Sequence, residues 1–303
     1  MRVAVLGSLH MDLVTVVERL PGPGETVFGR NFFRRPGGKG LAQAVAAARL
    51  GVEVLLFGLV GQGPFGDELL GAAKENGVDV TFVERVRAQT GTATILVDEG
   101  GETMTAYAPG ANALVDAAYL SRVLPVLSAA DVLLLQLEIP VSVVAETLRR
   151  LPPERPLVIL NPSPAQDLRD LPLKRVDVLV PGVRELQVLA GCTGTSEEIE
   201  RASRVFLGLG AKAVVVMAGP AGAYLVEPEG FAHFSGFSEE ATDPAVEDAF
   251  CAALGVRLGS GRGLYEAIGF ANAAAALTAT KKWAWPSFPT LSEVLEYLAR
   301  CAG

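Results

Sequence analysis

Histidine is nearly missing from this chain: His10 and His233 are the only two in 303 residues. That scarcity excludes histidine-rich metal centres and most nucleophile–histidine triads. Cysteine is almost as sparse. Cys192, Cys251 and Cys301 are odd in number, scattered and without CxxC spacing, which excludes a disulfide framework and a thiolate zinc site. Zinc, haem and flavin are therefore not expected. No apolar run reaches the roughly 18 residues of a membrane span. The opening MRVAVLGSLH also lacks the long apolar core and cleavage site of a secretion signal. A cytoplasmic protein with no membrane partner is expected. Basic residues are outnumbered 26 to 34, for a net charge of −8, which argues against nucleic acid but not against a small anion in a local basic pocket.

What is present is apolar: half the residues are hydrophobic and a fifth charged, enough for a sizeable core. Short β-rich runs alternate with helical patterns: RVAVLG (2–7), VEVLLFGLVG (52–61), DVLLLQLE (131–138), PLVILNP (156–162), VDVLVPG (176–182) and AKAVVVMAG (211–219) as strands. LAQAVAAARLG (41–51), FGDELLGAAKENGV (65–78), VSVVAETLRRL (141–151) and a stretch near 196–209 read as helices. Continuous apolar strands separated by helices predict a doubly wound, mostly parallel sheet with helices on both faces. Such sheets place ligands at the carboxyl ends of their strands, where Gly7, Gly58, Glu138, Asn161 and Gly182 are expected. Two segments, about 12–35 and 90–110, alternate without helices and turn at PGPG and EGGE. They predict a small β-sheet lid on a single domain spanning 1–303.

Several residues sit where chemistry is done. PGGKG (36–40) opens a helix, either as a plain tight turn or as a place where the backbone and Lys39 approach a polar ligand. Asp12 and Glu138 near strand ends either cap helices or accept from ligand hydroxyls. In DPAVEDAF (243–250), Asp243 is a suitable helix N-cap and Pro244 a first helical residue. Asp248 is then either a first-turn acid favoured by the helix dipole or a general base for a hydroxyl.

The order of GSLHMD, PGGKGLAQAVAAARLG, VGQGPFGDELL, APGAN, QLE, NPSPA, DAFCAAL and FANAAAALTAT along the whole chain resembles the ribokinase family of carbohydrate kinases. The resemblance implies a ribokinase-like fold. It also implies Mg²⁺-dependent transfer of the ATP γ-phosphoryl group to a sugar or sugar-like hydroxyl, and a homodimer through the lid. It assigns Asp248 as catalytic base, and His10, Asp12, Gly38, Lys39, Ala42 and Glu138 to the sugar. The turn Ala245, Val246 and Glu247 falls on the anion hole. Glu185, Gly219, Gly222 and Asn272 fall on the nucleotide side, with Glu185 near the metal.

The family pattern is broken at several of these positions. Where the family has DTTGAGD this chain has TDPAVED (242–248), which puts side chains in a glycine turn, a carboxylate at 247, and Thr242 in place of the Asp associated with a monovalent cation. Gly182 replaces the Asn of NxxE and leaves Glu185; Met217 and Ala221 replace polar residues; Trp283 replaces a glycine; His10 and Ala42 stand for Asn. Phosphoryl transfer is mostly positioning plus stabilisation of negative charge, so a carboxylate beside the phosphate is the most damaging of these changes. Two readings result. One is a sugar kinase with weak or absent turnover; the other is a catalytically degenerate sugar-binding or regulatory protein.

Overall fold

The computed structural model describes residues 1–236, 245–280 and 288–301. The chain runs β1 (Arg2–Leu6), β2 (His10–Val17), β3 (Gly29–Gly37), α1 (Lys39–Arg49), β4 (Glu53–Gly61), α2 (Pro64–Glu75), β5 (Asp79–Val86), β6 (Gly91–Val97) and β7 (Thr103–Ala108). There follow α3 (Ala117–Ser128), β8 (Val132–Leu135), α4 (Val141–Arg150), β9 (Leu157–Leu160), β10 (Val178–Leu179), α5 (Val183–Ala190), α6 (Ser196–Gly208), β11 (Ala213–Met217), β12 (Ala223–Glu227) and β13 (Gly230–Phe234). Helices α7 (Ala245–Gly259), α8 (Leu264–Ala279) and α9 (Leu291–Cys301) end it.

A nine-stranded sheet has the order β13-β12-β11-β10-β9-β8-β1-β4-β5. It is parallel from β5 to β11 and closes on an antiparallel hairpin, β12–β13. Both faces are apolar because side chains alternate across the pleat. On β1, Val3 and Val5 join one core with Leu41 of α1, Leu69 of α2, Phe250 of α7 and Ile268 of α8. Ala4 and Leu6 join the other with Leu120 of α3, Val144 of α4, Leu186 of α5 and Phe206 of α6. This two-faced burial is what the continuous hydrophobic strands predict.

The second sheet has the order β3-β2-β6-β7. Its register aligns Phe32, Thr15, Leu96 and Met104 in one row. Residues an odd number of steps along each strand, such as Val14 and Asp12 from Thr15, point to the opposite face. Strands β1 and β4 lead outward to β5, whereas the chain returns through the small sheet and α3 to lay β8 on the other side of β1. The loops after β1 and β8 therefore part company, which makes this the switch-point crevice of a doubly wound sheet.

Two local expectations need correction. Gly58 is not at a strand end: β4 continues to Gly61 because β5 pairs with it as far as Gly61 opposite Val86. The strand expected over 131–138 is only Val132–Leu135, because its pairing ends at Leu135, opposite Leu6 of β1 and Leu160 of β9. The β12–β13 hairpin was not expected at all; its outer strand, β13, alternates half-buried and exposed positions as a loop can. The Asp243 cap, Thr242 and Trp283 lie outside the described residues.

Candidate active site

The switch point is tied together by Glu138. Its Oε2 accepts from Ser8 Oγ, in the loop after β1, and from the backbone N of Lys39 at 3.0 Å, the first residue of α1. A carboxylate there answers an orphan amide and the positive end of the helix dipole. Of the two roles open to Glu138 in the sequence, capping is therefore in place. Asp12 caps nothing: its Oδ2 accepts from Arg35 Nε at 3.1 Å, and its Oδ1 lies 3.1 Å from His10 Nε2. Gly38 must be glycine, because its φ is +101° and a Cβ would stand 2.6 Å from Ser8 O.

His10 is buried beside the Tyr107 ring, with centroids 5.0 Å apart. Its Nδ1 has no hydrogen-bond partner among the described residues and faces Glu138 Oε2 across 3.9 Å. Burial works against charging the imidazole, but the hydrogen bond to Asp12 and the charges of Glu138, Asp12 and Asp248 outweigh it and raise its pKa. Tyr107, on the small sheet, donates to the Glu138 carbonyl at 3.4 Å and accepts from Asn112 Nδ2 at 3.1 Å. Asn112 in turn holds both backbone polar atoms of Leu9. The small sheet thus lies against the carboxyl end of β8. Ala42 follows on α1, buried, with only its methyl group to offer.

Lys39 turns its side chain toward α7. Its Nζ lies 3.4 Å from Glu247 Oε2 and 4.0 Å from Asp248 Oδ1. Burial opposes the ammonium, but Asp248, Glu247 and Glu138 outweigh it and raise the Lys39 pKa. Asp248 is buried in the first turn of α7. Desolvation lifts its pKa from 3.8 to about 7, with Lys39 and Gln43 pulling down and Glu247 and Glu138 pushing up. A carboxylate balanced near neutrality can both accept and release a proton.

Glu247 does not turn out to solvent. Its side chain is 34 % exposed, pairs with Lys39, and brings Oε1 within 3.1 Å of where a Gly182 Cβ would be. Glu185 Oε2 lies 2.6 Å from the same point and has no hydrogen-bond partner among the described residues, while its Oε1 accepts from Ser163 Oγ at 2.8 Å. Such an acceptor fits Mg²⁺, which takes one or two protein carboxylates and completes its shell with phosphate and water. The described residues hold no cluster of three metal-ligating side chains.

On the far side, Gly182 bridges Met217 at the end of β11. Gly219 and Gly222 form the turn after it, and Gly222 packs against Phe234 O. Asn272 of α8 donates weakly to that same carbonyl, at 3.5 Å. The site residues therefore fall into a chain: His10, Asp12, Gly38 and Glu138; then Lys39, Asp248 and Glu247; then Gly182 and Glu185; then Gly219, Gly222 and Asn272. Ala245 and Val246 open α7 beside Glu247.

Sequence reasoning passed over Ser8, Gln43, Tyr107, Gln136 and Ser163. Gln43 was within reach of it, because it lies four residues after Lys39 on one helix and so shares its face.

Residues 1–291 match the model of the pfkB family of carbohydrate kinases. The chain is similar to the ribokinase of Haemophilus influenzae, 35 % identical over 97 % of each chain. Among solved structures, the ribokinase of Thermotoga maritima has a TM-score of 0.85 at 34 % identity, over 98 % of this chain and 99 % of that one. Arabidopsis thaliana ribokinase, solved with ribose and ATP, has a TM-score of 0.86 at 30 % identity over 98 % of both chains.

Proposed function

Because this chain belongs to the pfkB family of carbohydrate kinases, we propose that it transfers the γ-phosphoryl group of ATP to a hydroxyl of a ribose-like sugar. Asp248 is the base in this reading. The acceptor O–H gives its proton to Asp248 as the new O–P bond forms and the bond to the ADP oxygen breaks, so ADP leaves. His10, Asp12, Gly38 and Glu138 hold the sugar. Gly219, Gly222 and Asn272 border the nucleotide, and Lys39 and the start of α7 face the transferring group. Glu185 would hold Mg²⁺, whose charge offsets that of the phosphates when bound.

The observation that carries this is a buried Asp248 whose proton affinity is balanced near neutrality beside a largely covered, charged Lys39. Perturbed groups of this kind gather where proton transfer is done. One observation favours the second reading, a sugar-binding protein with little transfer: the Glu247 carboxylate lies inside the cleft, where it repels phosphate. A coupled assay for ADP release with Mg·ATP and pentoses, deoxypentoses and hexoses separates the two. Kinase activity abolished by Asp248→Asn is the expected result. No turnover on any sugar, with no rise in Tm on adding millimolar Mg·ATP, refutes it, since a ligand that binds the native state must stabilise it.

The chain pairs with a second copy through the small sheet in the same reading. Support comes from the row Phe32, Leu96 and Met104, on the face away from His10 and Asp12. There Phe32 is 63 % and Met104 49 % exposed.

A further inference from the structure

Two carboxamides behind Asp248 take no part in the reaction as described. Gln43 of α1 is 1 % exposed and donates Nε2 to Asp248 Oδ1 at 3.0 Å. Gln136, after β8, is 0 % exposed and donates Nε2 to Gln43 Oε1 at 2.6 Å. A carboxamide has a donor end and an acceptor end of nearly the same shape, so sterics alone do not decide which one Gln43 shows to Asp248. Gln136 decides it. Its NH₂ engages the oxygen of Gln43, leaving only the Gln43 NH₂ for Asp248.

What fixes Gln136 is the far end of the chain. Its Oε1 lies against Gly7, where even an added Cβ would come within 2.0 Å, and it has no hydrogen-bond partner among the described residues. Reversing both amides would bury an unpartnered NH₂ there in place of an oxygen. Orphaned N–H groups are less well tolerated than under-satisfied carbonyls. The tight contact at Gly7 therefore sets the sense of both amides.

We propose that Gln136 and Gln43 form a buried relay that keeps Asp248 ionised with Oδ1 engaged, so that its other carboxylate oxygen meets the acceptor hydroxyl. Both are positioning residues, and the proposal rests on Asp248 being the base. Among the described residues, the other titratable groups around Asp248 are Lys39 of α1, Glu247 and Cys251 of α7, Glu138 after β8 and His10 of β2. Lys39 also favours the ionised form; Glu247 and Glu138 oppose it. The relay adds a directional donor that those point charges do not supply.

The test uses Gln43→Met and Gln136→Met, which keep volume and remove the amides. Carboxyl ¹³C NMR, with the Asp248 signal assigned from Asp248→Asn, gives its titration midpoint without any need for turnover. The expected midpoint rises by about one pH unit in Gln43→Met, from loss of a hydrogen bond to a charged group. It also rises in Gln136→Met, whose side chain does not touch Asp248. The acid limb of kcat/KM against pH moves by the same amount, activity returns at high pH, and sugar KM stays unchanged on the plateau. A purely structural role would not give that recovery. A wild-type midpoint in Gln136→Met overturns the relay, and Gln136→Met alone decides the matter if Gln43→Met fails to fold. A raised midpoint with an unmoved rate profile leaves the relay standing and refutes Asp248 as the base.

Discussion

Replacing Glu247 by Gln gives the sharpest test of what the cleft has become. The Glu247 carboxylate is 3.4 Å from Lys39 Nζ, which is 4.0 Å from Asp248. A phosphoryl group meeting a hydroxyl at Asp248 would then lie about 5 Å from the Glu247 charge, where two unit charges repel by about 3 kcal/mol at an effective dielectric of 20. Glu247 is one-third exposed and its field is partly cancelled by Lys39, so the effect must be discounted to about 1–1.5 kcal/mol. That is about tenfold in kcat.

Two further consequences have the same sign. Lys39, released from Glu247, can turn to the incoming phosphates. Asp248 loses a neighbour that pushes its pKa up, so more of the base is ionised at pH 7. Glu247→Gln should raise kcat by about tenfold at saturating sugar and ATP, with sugar KM within about twofold of wild type. Continuous ADP-release assays at low and high salt measure it, and the gain should shrink as salt screens the charge. If kcat is unchanged or falls, the repulsion argument is wrong and Glu247 serves Lys39 instead.

Asp248→Asn should show its effect in stability against pH. A carboxyl whose folded pKa is raised contributes its stability fully below the unfolded value, and that contribution is lost as pH rises through the folded value of about 7. The Tm advantage of the Asn variant over wild type should therefore widen from pH 5 to pH 8, by about 2–3 kcal/mol of stability; a constant gap refutes the buried-ionisation account. For assembly, sedimentation should show a dimer that Phe32→Glu with Met104→Glu converts to a folded monomer, and a monomeric wild type would dismiss the small-sheet interface.

The architecture was legible because the parallel strands are buried on both faces and read as unbroken apolar runs, such as Val132–Leu135. The small sheet was legible for the opposite reason, alternation without helices. Elements with mixed exposure escaped: β5 and β13 each show a half-buried pattern that a loop could share. The site divides in the same way. His10, Asp12, Lys39, Glu138 and Asp248 stand out as charged residues amid apolar sequence. Gln43 and Gln136 are uncharged and gain meaning only when α1, α7 and the end of β8 are brought together. The direction of Glu247 was also beyond sequence, since a first-turn side chain can point to solvent or across the cleft.

That direction links two of the departures from the family pattern, at 182 and at 247. Gly182 has φ −78° and ψ 166°, a backbone any residue adopts, so glycine is not there for conformation. It is there for space: a Cβ would stand 2.6 Å from Glu185 and 3.1 Å from Glu247. The missing side chain at 182 and the added one at 247 are thus one exchange, in which a polar group reaches the same spot from α7 instead of from the end of β10. Counted separately they suggest two losses; counted together they suggest a rebuilt wall that still faces Lys39. A buried Asp248 held against its own desolvation, with two ordered amides behind it, lowers stability and packs no better than an apolar side chain of similar size. Sites carry such groups where proton transfer needs them. Under the proposed function, Glu247 alters the charge of the phosphate side of the cleft while Asp248 keeps its proton-handling side built.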